Sequence, residues 1–183
     1  GSTTQFTAVQ VVELQTELAK LGFTVKDIEN STPAILDLAA SLEVDLASAA
    51  ELAGSVVRSF GLDTIDTQRV VDVMSLSTSA SALNFEALRE SIKVVAPAAR
   101  ATNVSIEKTA ALLGVLANNG LKGSVAGNGL SKTFIELNKK GITLEEGMEK
   151  VKNSTNKLNT AIDLVGVVGA KSFLSLAESG EQI

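Results

Sequence analysis

Apolar residues recur at intervals of three and four positions along most of the chain, which is the spacing of one face of an α-helix. One stripe contains Leu46, Ala50, Ala53, Val57 and Phe60. Four more have similar spacing: Val11, Leu14, Leu18 and Leu21; Leu88, Ile92, Val95 and Ala99; Ile106, Ala110, Leu113 and Ala117; and Leu144, Met148, Val151 and Leu158. The alternation of period two that is typical of strands is not sustained anywhere. The pattern predicts an all-α fold.

Glycine followed by an apolar residue marks the expected helix ends. A helix often ends with glycine in the left-handed conformation, and the next apolar residue packs back on the last turn. Four clear examples occur, at Gly22-Phe23, Gly61-Leu62, Gly120-Leu121 and Gly141-Ile142. Weaker versions at Ser41-Leu42, Ala82-Leu83 and Asn103-Val104 complete a series of stops roughly 20 residues apart.

This series predicts about 7–9 helices of roughly 12–17 residues, joined by short Gly/Asn turns. Two units of about 20 residues make a helical hairpin, so the expected arrangement is a hairpin bundle or a solenoid-like array. An ordinary α-helical domain with short loops gives the same spacing, and both interpretations stay open. Pro33 and Pro97 fall in or next to apolar stripes, and each is expected to begin or kink a helix.

Composition removes several kinds of chemistry. The chain has no Cys, His, Trp or Tyr, so it lacks disulfides, thiolate or histidine catalysis and the usual ligands of transition metals. Carboxylate pairs and Ser–Lys dyads stay possible, but no positive feature points to either, and we predict no catalytic residue, no cofactor and no metal site. The net charge is −5, with −8 in residues 1–92 and +3 in residues 93–183. An acidic chain with few aromatic residues is not expected to bind nucleic acid through this segment.

One segment partly matches a phosphate-binding loop. Ala126–Thr133 ends in Ser-Lys-Thr, but Ser131 stands where the loop requires glycine, and no strand precedes it. We therefore expect a glycine-rich connection that leads into a helix at Leu130, and keep a nucleotide-dependent enzyme only as a rival hypothesis.

The ends and the uncharged stretches give two further expectations. Gly1 and Ser2 match the remnant left when an expression tag is cleaved. The longest uncharged stretches, Val73–Phe85 and Thr109–Leu121, have 13 residues each, which is short of the roughly 20 that a spanning helix needs. A membrane contact is therefore not expected for this segment.

Several motifs in a fixed order resemble one family. Phe60-Gly61-Leu62 precedes Val95-Ala96-Pro97, which is followed by Leu116-Ala117-Asn118-Asn119-Gly120 and Leu121-Lys122-Gly123-Ser124-Val125-Ala126-Gly127. This order resembles the core region of tail tape measure proteins of bacteriophages and prophages, over most of residues 23–178. The residues that carry the resemblance are structural ones: Phe60, Gly61, Pro97, Gly120, Lys122, Gly123, Ser124, Ala126 and Gly127.

The resemblance implies a structural protein, not an enzyme, that sets tail length during assembly and occupies the lumen of the tail tube. The implied partners are other copies of the chain, the tail tube protein, tail assembly chaperones and the baseplate hub. The implied locations are the phage tail and, during assembly, the host cytoplasm. Residues 3–183 then form a single α-helical domain within a longer protein. The rival from another class is a helical-repeat module that binds a protein or peptide.

Overall fold

The fold of the chain was obtained as a computed structural model, which describes residues 6–179. Within that range lie nine α-helices and no strand, so the prediction of an all-α fold is confirmed. The helices are α1 (Ala8–Lys20), α2 (Val25–Leu42), α3 (Leu46–Phe60), α4 (Thr67–Ser79), α5 (Phe85–Ala101), α6 (Ile106–Asn118), α7 (Gly123–Lys139), α8 (Leu144–Lys152) and α9 (Lys157–Glu178). A single 3₁₀ turn, Thr64–Asp66, precedes α4. The expected tag remnant at Gly1 and Ser2 lies outside the described residues.

Most helices begin at a side chain that accepts a backbone N–H from the first turn. Thr24, Asp45, Asn84, Ser105 and Thr143 hold this position in α2, α3, α5, α6 and α8. α8 begins with a capping box, since Thr143 and Glu146 each accept the other's backbone N–H. Such caps satisfy N–H groups that have no partner inside the helix.

The four clear glycine stops are confirmed. Gly22, Gly61, Gly120 and Gly141 have φ between 64° and 80°. In each case the next apolar residue donates its N–H to a carbonyl five residues back, at 2.8–3.1 Å. Asn103 (φ 56°) ends α5 in the same way. Two weaker predictions were wrong: the left-handed residue after α2 is Glu43 with Val44 beyond it, and none occurs at Ala82-Leu83.

The two prolines lie inside helices, so of the two expectations, that each begins or kinks a helix, the first is wrong. Pro33 is in the middle of α2, and Pro97 is in the last turns of α5. Both side chains are exposed. A proline frees the carbonyl four residues earlier, and on the solvent face of a helix such a carbonyl can tilt towards water.

The chain divides into two compact units at Leu76. In the first unit, α1 and α3 lie side by side and run in the same direction. Leu18 of α1 and Leu21, which caps the end of α1, contact the α3 backbone at Gly54, where a β-carbon would come within 2.6 Å of Leu21. One turn further on, the Arg58 guanidinium donates to the carbonyl of Gly22 and lies 5.0 Å from the centre of the Phe23 ring. α2 packs against both helices.

In the second unit, α5, α7 and α9 form one layer in which α7 is the central helix, and α6 contacts all three. The core is mostly aliphatic, with Leu88, Ile92, Leu112 and Leu113 at most 2% exposed, and it includes the ring of Phe173. The expected late stripe is wrong at its last position, because Leu158 belongs to α9 and is 53% exposed.

Helix pairs recur along the chain with an almost constant period. α1, α3, α5 and α7 begin at residues 8, 46, 85 and 123, which are 38 or 39 residues apart. Within each unit, several polar contacts join residues 36 or 37 apart, among them Ser31–Thr67 in the first and Lys108–Glu145 in the second. The sequence left open whether the chain is a repeat of helix pairs or an ordinary α-helical domain. These constant separations along the chain favour a repeated helix pair.

The carboxylate of Asp27 connects the start of α2 to the 3₁₀ turn Thr64–Asp66. It accepts hydrogen bonds from the N–H and hydroxyl of Thr24 (2.9 and 2.7 Å) and from the hydroxyl of Thr64 (2.7 Å). These donors stabilise the charged form and lower the pKa of Asp27 from 3.8 to about 2.

We predict that Asp27→Asn lowers the free energy of unfolding at pH 7. A carboxyl group whose pKa falls on folding stabilises the fold above its unfolded pKa, and this stabilisation is lost as the pH falls towards its folded value. The unfolding free energy of the variant, measured by urea denaturation, is therefore less dependent on pH between pH 4 and 2. Asp37→Asn, which removes an exposed charge from the same helix, is the control. Equal pH profiles for Asp27→Asn and the unchanged chain would contradict the assignment.

Candidate functional site: the helix layer around α7

The residues that carry the family resemblance do not form one cluster. Phe60 and Gly61 end α3 in the first unit. Pro97 lies in α5, and the series from Gly120 to Gly127 covers the turn before α7 and its first half. Of this series, Gly123, Ala126 and Gly127 are buried, whereas Lys122 and Ser124 are exposed. These three buried residues all lie in α7.

α7 approaches α5 through glycine. A β-carbon at Gly127 would lie 2.6 Å from the carbonyl oxygen of Ser91, which is closer than atoms in contact can approach. The buried Ser91 hydroxyl lies within hydrogen-bond distance of the carbonyls of Ala87 (2.6 Å) and Gly123 (2.9 Å). Backbone therefore packs directly on backbone along this part of the layer.

On its other side α7 contacts α9 in the same manner. A β-carbon at Gly129 would overlap the Ser172 hydroxyl, and one at Gly169 would meet the Lys132 β-carbon at 3.4 Å. These two pairs show that α7 and α9 run in opposite directions. Thr133, which is fully buried, satisfies its hydroxyl by donating to the carbonyl of Gly129 at 2.9 Å.

This arrangement corrects the expectation for Ala126–Thr133. The segment is not a glycine-rich connection, because α7 is helical from Gly123 onwards. Its backbone N–H groups bond within the helix, so they cannot converge on a phosphate as a phosphate-binding loop requires. The hypothesis of a nucleotide-dependent enzyme therefore loses the phosphate-binding loop on which it rested.

The sequence analysis missed a break in α9. Gly166 has φ 75° and ψ 168°, a conformation that is essentially restricted to glycine. The carbonyls of Asp163 and Leu164, which precede the break, accept hydrogen bonds from the Lys140 ammonium at 2.8 and 3.0 Å. A cation at the end of a helical segment also interacts favourably with its dipole. Of the two closely spaced glycines Gly166 and Gly169, only Gly169 packs against a neighbouring helix.

Charged groups near α7 form exposed pairs. The Lys108 ammonium lies 2.5 Å from Glu145 and lowers the pKa of that carboxyl by hydrogen bonding. The pair borders a groove lined by the end of α5 and the turn between α7 and α8.

Among residues 6–179, no three Asp or Glu side chains are grouped so that they could hold a metal ion. By length and composition alone, α9 qualifies as a membrane-spanning helix, and half of its apolar window is buried.

Comparison with known proteins identifies the family. The family described as phage-related minor tail protein matches residues 1–174. The chain belongs to this family.

Two relatives agree with the assignment of the chain as a minor tail protein. The tape measure protein of Pneumococcus phage Dp-1 is 32% identical over 151 residues, which cover 82% of the chain and 13% of that protein. The probable tape measure protein of Escherichia phage P2 is 30% identical over 164 residues, or 87% of the chain and 20% of that protein. No solved structure matches the chain.

These matches confirm the resemblance to a tape measure region that the motifs indicated. The chain spans between about one eighth and one fifth of the length of these relatives. The layer around α7 is therefore part of a minor tail protein region, and its small residues serve packing between helices.

We predict that Gly127→Ala destabilises this minor tail protein by about 1–3 kcal/mol, the usual cost of adding a methyl group where no space exists. Asn128→Ala is the matched control, since Asn128 is the next residue and is exposed. Alanine favours a helix at either position, so a loss that is specific to Gly127→Ala reports the contact with α5. Urea denaturation of both variants measures it, and equal stabilities would contradict the close packing.

Proposed function

We propose that the chain is a segment of a tail tape measure protein, which sets the length of the phage tail during assembly and occupies the lumen of the tail tube. The observation that carries the proposal is the similarity to the tape measure proteins of two phages over more than four fifths of the chain. In this proposal the chain acts as a structural element, and catalysis is no part of its role.

The helical fold supports the proposal because a length gauge needs a nearly constant rise per residue. An α-helix rises about 1.5 Å per residue, so 183 residues in one continuous helix would span roughly 275 Å. The stops at Gly22, Gly61, Gly120 and Gly141 instead fold the free chain into helix pairs. We propose that the chain is compact when free and becomes a more extended helical array in the tail.

The family suggests the proposed partners and locations. They are other copies of the chain, the tail tube protein, tail assembly chaperones and the baseplate hub, first in the host cytoplasm and then in the tail. In this proposal residues 3–183 act as one α-helical domain of a longer protein, to which the two compact units both contribute. Neither nucleic acid nor membrane is a proposed partner of this segment.

Deletion of one helix pair tests the proposal. Residues 85–122, which hold α5 and α6, are removed in frame from the full-length gene of the parent phage. Tail length is then measured by electron microscopy. At about 1.5 Å per residue we expect tails shorter by roughly 57 Å, and a duplication of the same residues should lengthen them equally.

Mass spectrometry of purified particles provides the control for location. Peptides from the chain should be found in tails of both the unchanged and the deleted phage. Tails of unchanged length in a phage whose particles contain the deleted protein would contradict a length-setting role. Peptides confined to the cytosol, with particles present, would favour the helical-repeat binding module instead.

A further inference from the structure

Two pairs of exposed valines lie on helices of different units. Val9 and Val12 of α1 are 68% and 59% exposed, and Val167 and Val168 of α9 are 76% and 63% exposed. Single exposed apolar residues are ordinary on protein surfaces. Two exposed valines close together on one helix are less so, because they form a small apolar patch on the surface.

The pair on α9 has a basic border. Lys171 follows Val167 and Val168 by about one turn and is exposed. Lys132 of α7 lies beside Gly169, the residue next to Val168, and is also exposed. The break at Gly166 leaves both valines at the start of the second half of α9. We call Val167, Val168, Lys132 and Lys171 the valine–lysine patch.

The pair on α1 has an acidic border. Glu13 is exposed and lies one turn from Val9 and next to Val12. Glu13 and Lys171 form no ion pair within the described part of the chain. We call Val9, Val12 and Glu13 the valine–glutamate patch.

The two units differ in net charge in the same way as the borders of the two patches do: the first unit is acidic and the second is slightly basic. Residues 1–76 contain eleven acidic and four basic side chains, a net charge of −7, whereas residues 77–183 contain ten acidic and twelve basic ones, a net charge of +2. Complementary charge guides two surfaces into contact, and burial of apolar side chains then stabilises that contact.

We propose that the valine–lysine patch of one copy binds the valine–glutamate patch of a second copy of this chain. The contact is one between copies in the compact form, and it rests on the proposed function only in that several copies of the chain are brought together. The two patches differ, so the contact is heterologous, and each added copy leaves one patch of each kind unoccupied. Such contacts either close into a ring or continue as an open series.

Sedimentation velocity of the purified chain tests the contact. The mean sedimentation coefficient should rise with protein concentration at low salt and fall when salt is added, because salt screens Glu13 from the lysines. The paired variant Val167→Ser with Val168→Ser should weaken association by roughly tenfold. Leu158→Ser, which alters another exposed apolar residue of α9, should leave association unchanged.

Charge exchange makes the test specific for the pairing. Glu13→Lys alone and Lys171→Glu alone should each weaken association, and the variant that carries both changes should recover most of it. Circular dichroism confirms that each variant is folded. A chain that stays monomeric at low salt, or a double variant that recovers nothing, would overturn the inference.

These outcomes are separate from those of the proposed function. A chain that is monomeric in solution but sets tail length contradicts only the contact between copies. A chain that associates through these patches but is absent from tails contradicts the proposed function, and the contact itself stands.

Discussion

The second unit depends on the close approach of α7 to the helices on both of its sides. Gly127 brings the α7 backbone against the carbonyl of Ser91, and Gly129 makes room for Ser172 on the opposite side. The chain has no Trp or Tyr and only six Phe, so few large side chains are available to fill wider gaps. Close contact between the helices stabilises the unit in place of large side chains, because dispersion attraction grows with the number of atoms in contact.

Close packing also limits how the polar groups of these helices are satisfied. Ser91 and Thr133 are buried at the contacts of α7, and their hydroxyls are satisfied by backbone carbonyls rather than by water. Charged side chains form pairs at the surface, such as Lys108 with Glu145. Exposed pairs of this kind contribute little to stability, so the fold is held mainly by its aliphatic core, its helix caps and its small residues.

The sequence predicts those features of the fold that depend on neighbouring residues. Gly22, Gly61, Gly120 and Gly141 were identified correctly because a glycine stop and its apolar partner are adjacent in the chain. The helical state of residues 123–129 was not, because the three glycines Gly123, Gly127 and Gly129 disfavour a helix and only the contacts with α5 and α9 compensate for that preference. The break at Gly166 was missed for a similar reason, since the carbonyls exposed there are bonded by Lys140, 23 or 24 residues away.

The candidate site shows the same division. The order of motifs from Phe60 to Gly127 indicated the family, and comparison with known proteins confirmed it. The motifs did not indicate which of their members pack against other helices. Gly123 and Gly127 do so, whereas Lys122 and Ser124 face solvent. A sequence motif contains buried and exposed residues alike, and only the packed structure shows which of them are buried.

We propose two arrangements for one chain, compact when free and extended in the tail. Lys132 and Lys171 lie on adjacent helices in the compact form, but they would be roughly 58 Å apart along one continuous helix, at about 1.5 Å per residue. A short amine-reactive crosslinker, applied to the free chain and to intact tails, measures the difference by mass spectrometry. If the chain extends in the tail, a Lys132–Lys171 crosslink forms in the free chain and is lost in tails. The same crosslink at equal yield in both would contradict it.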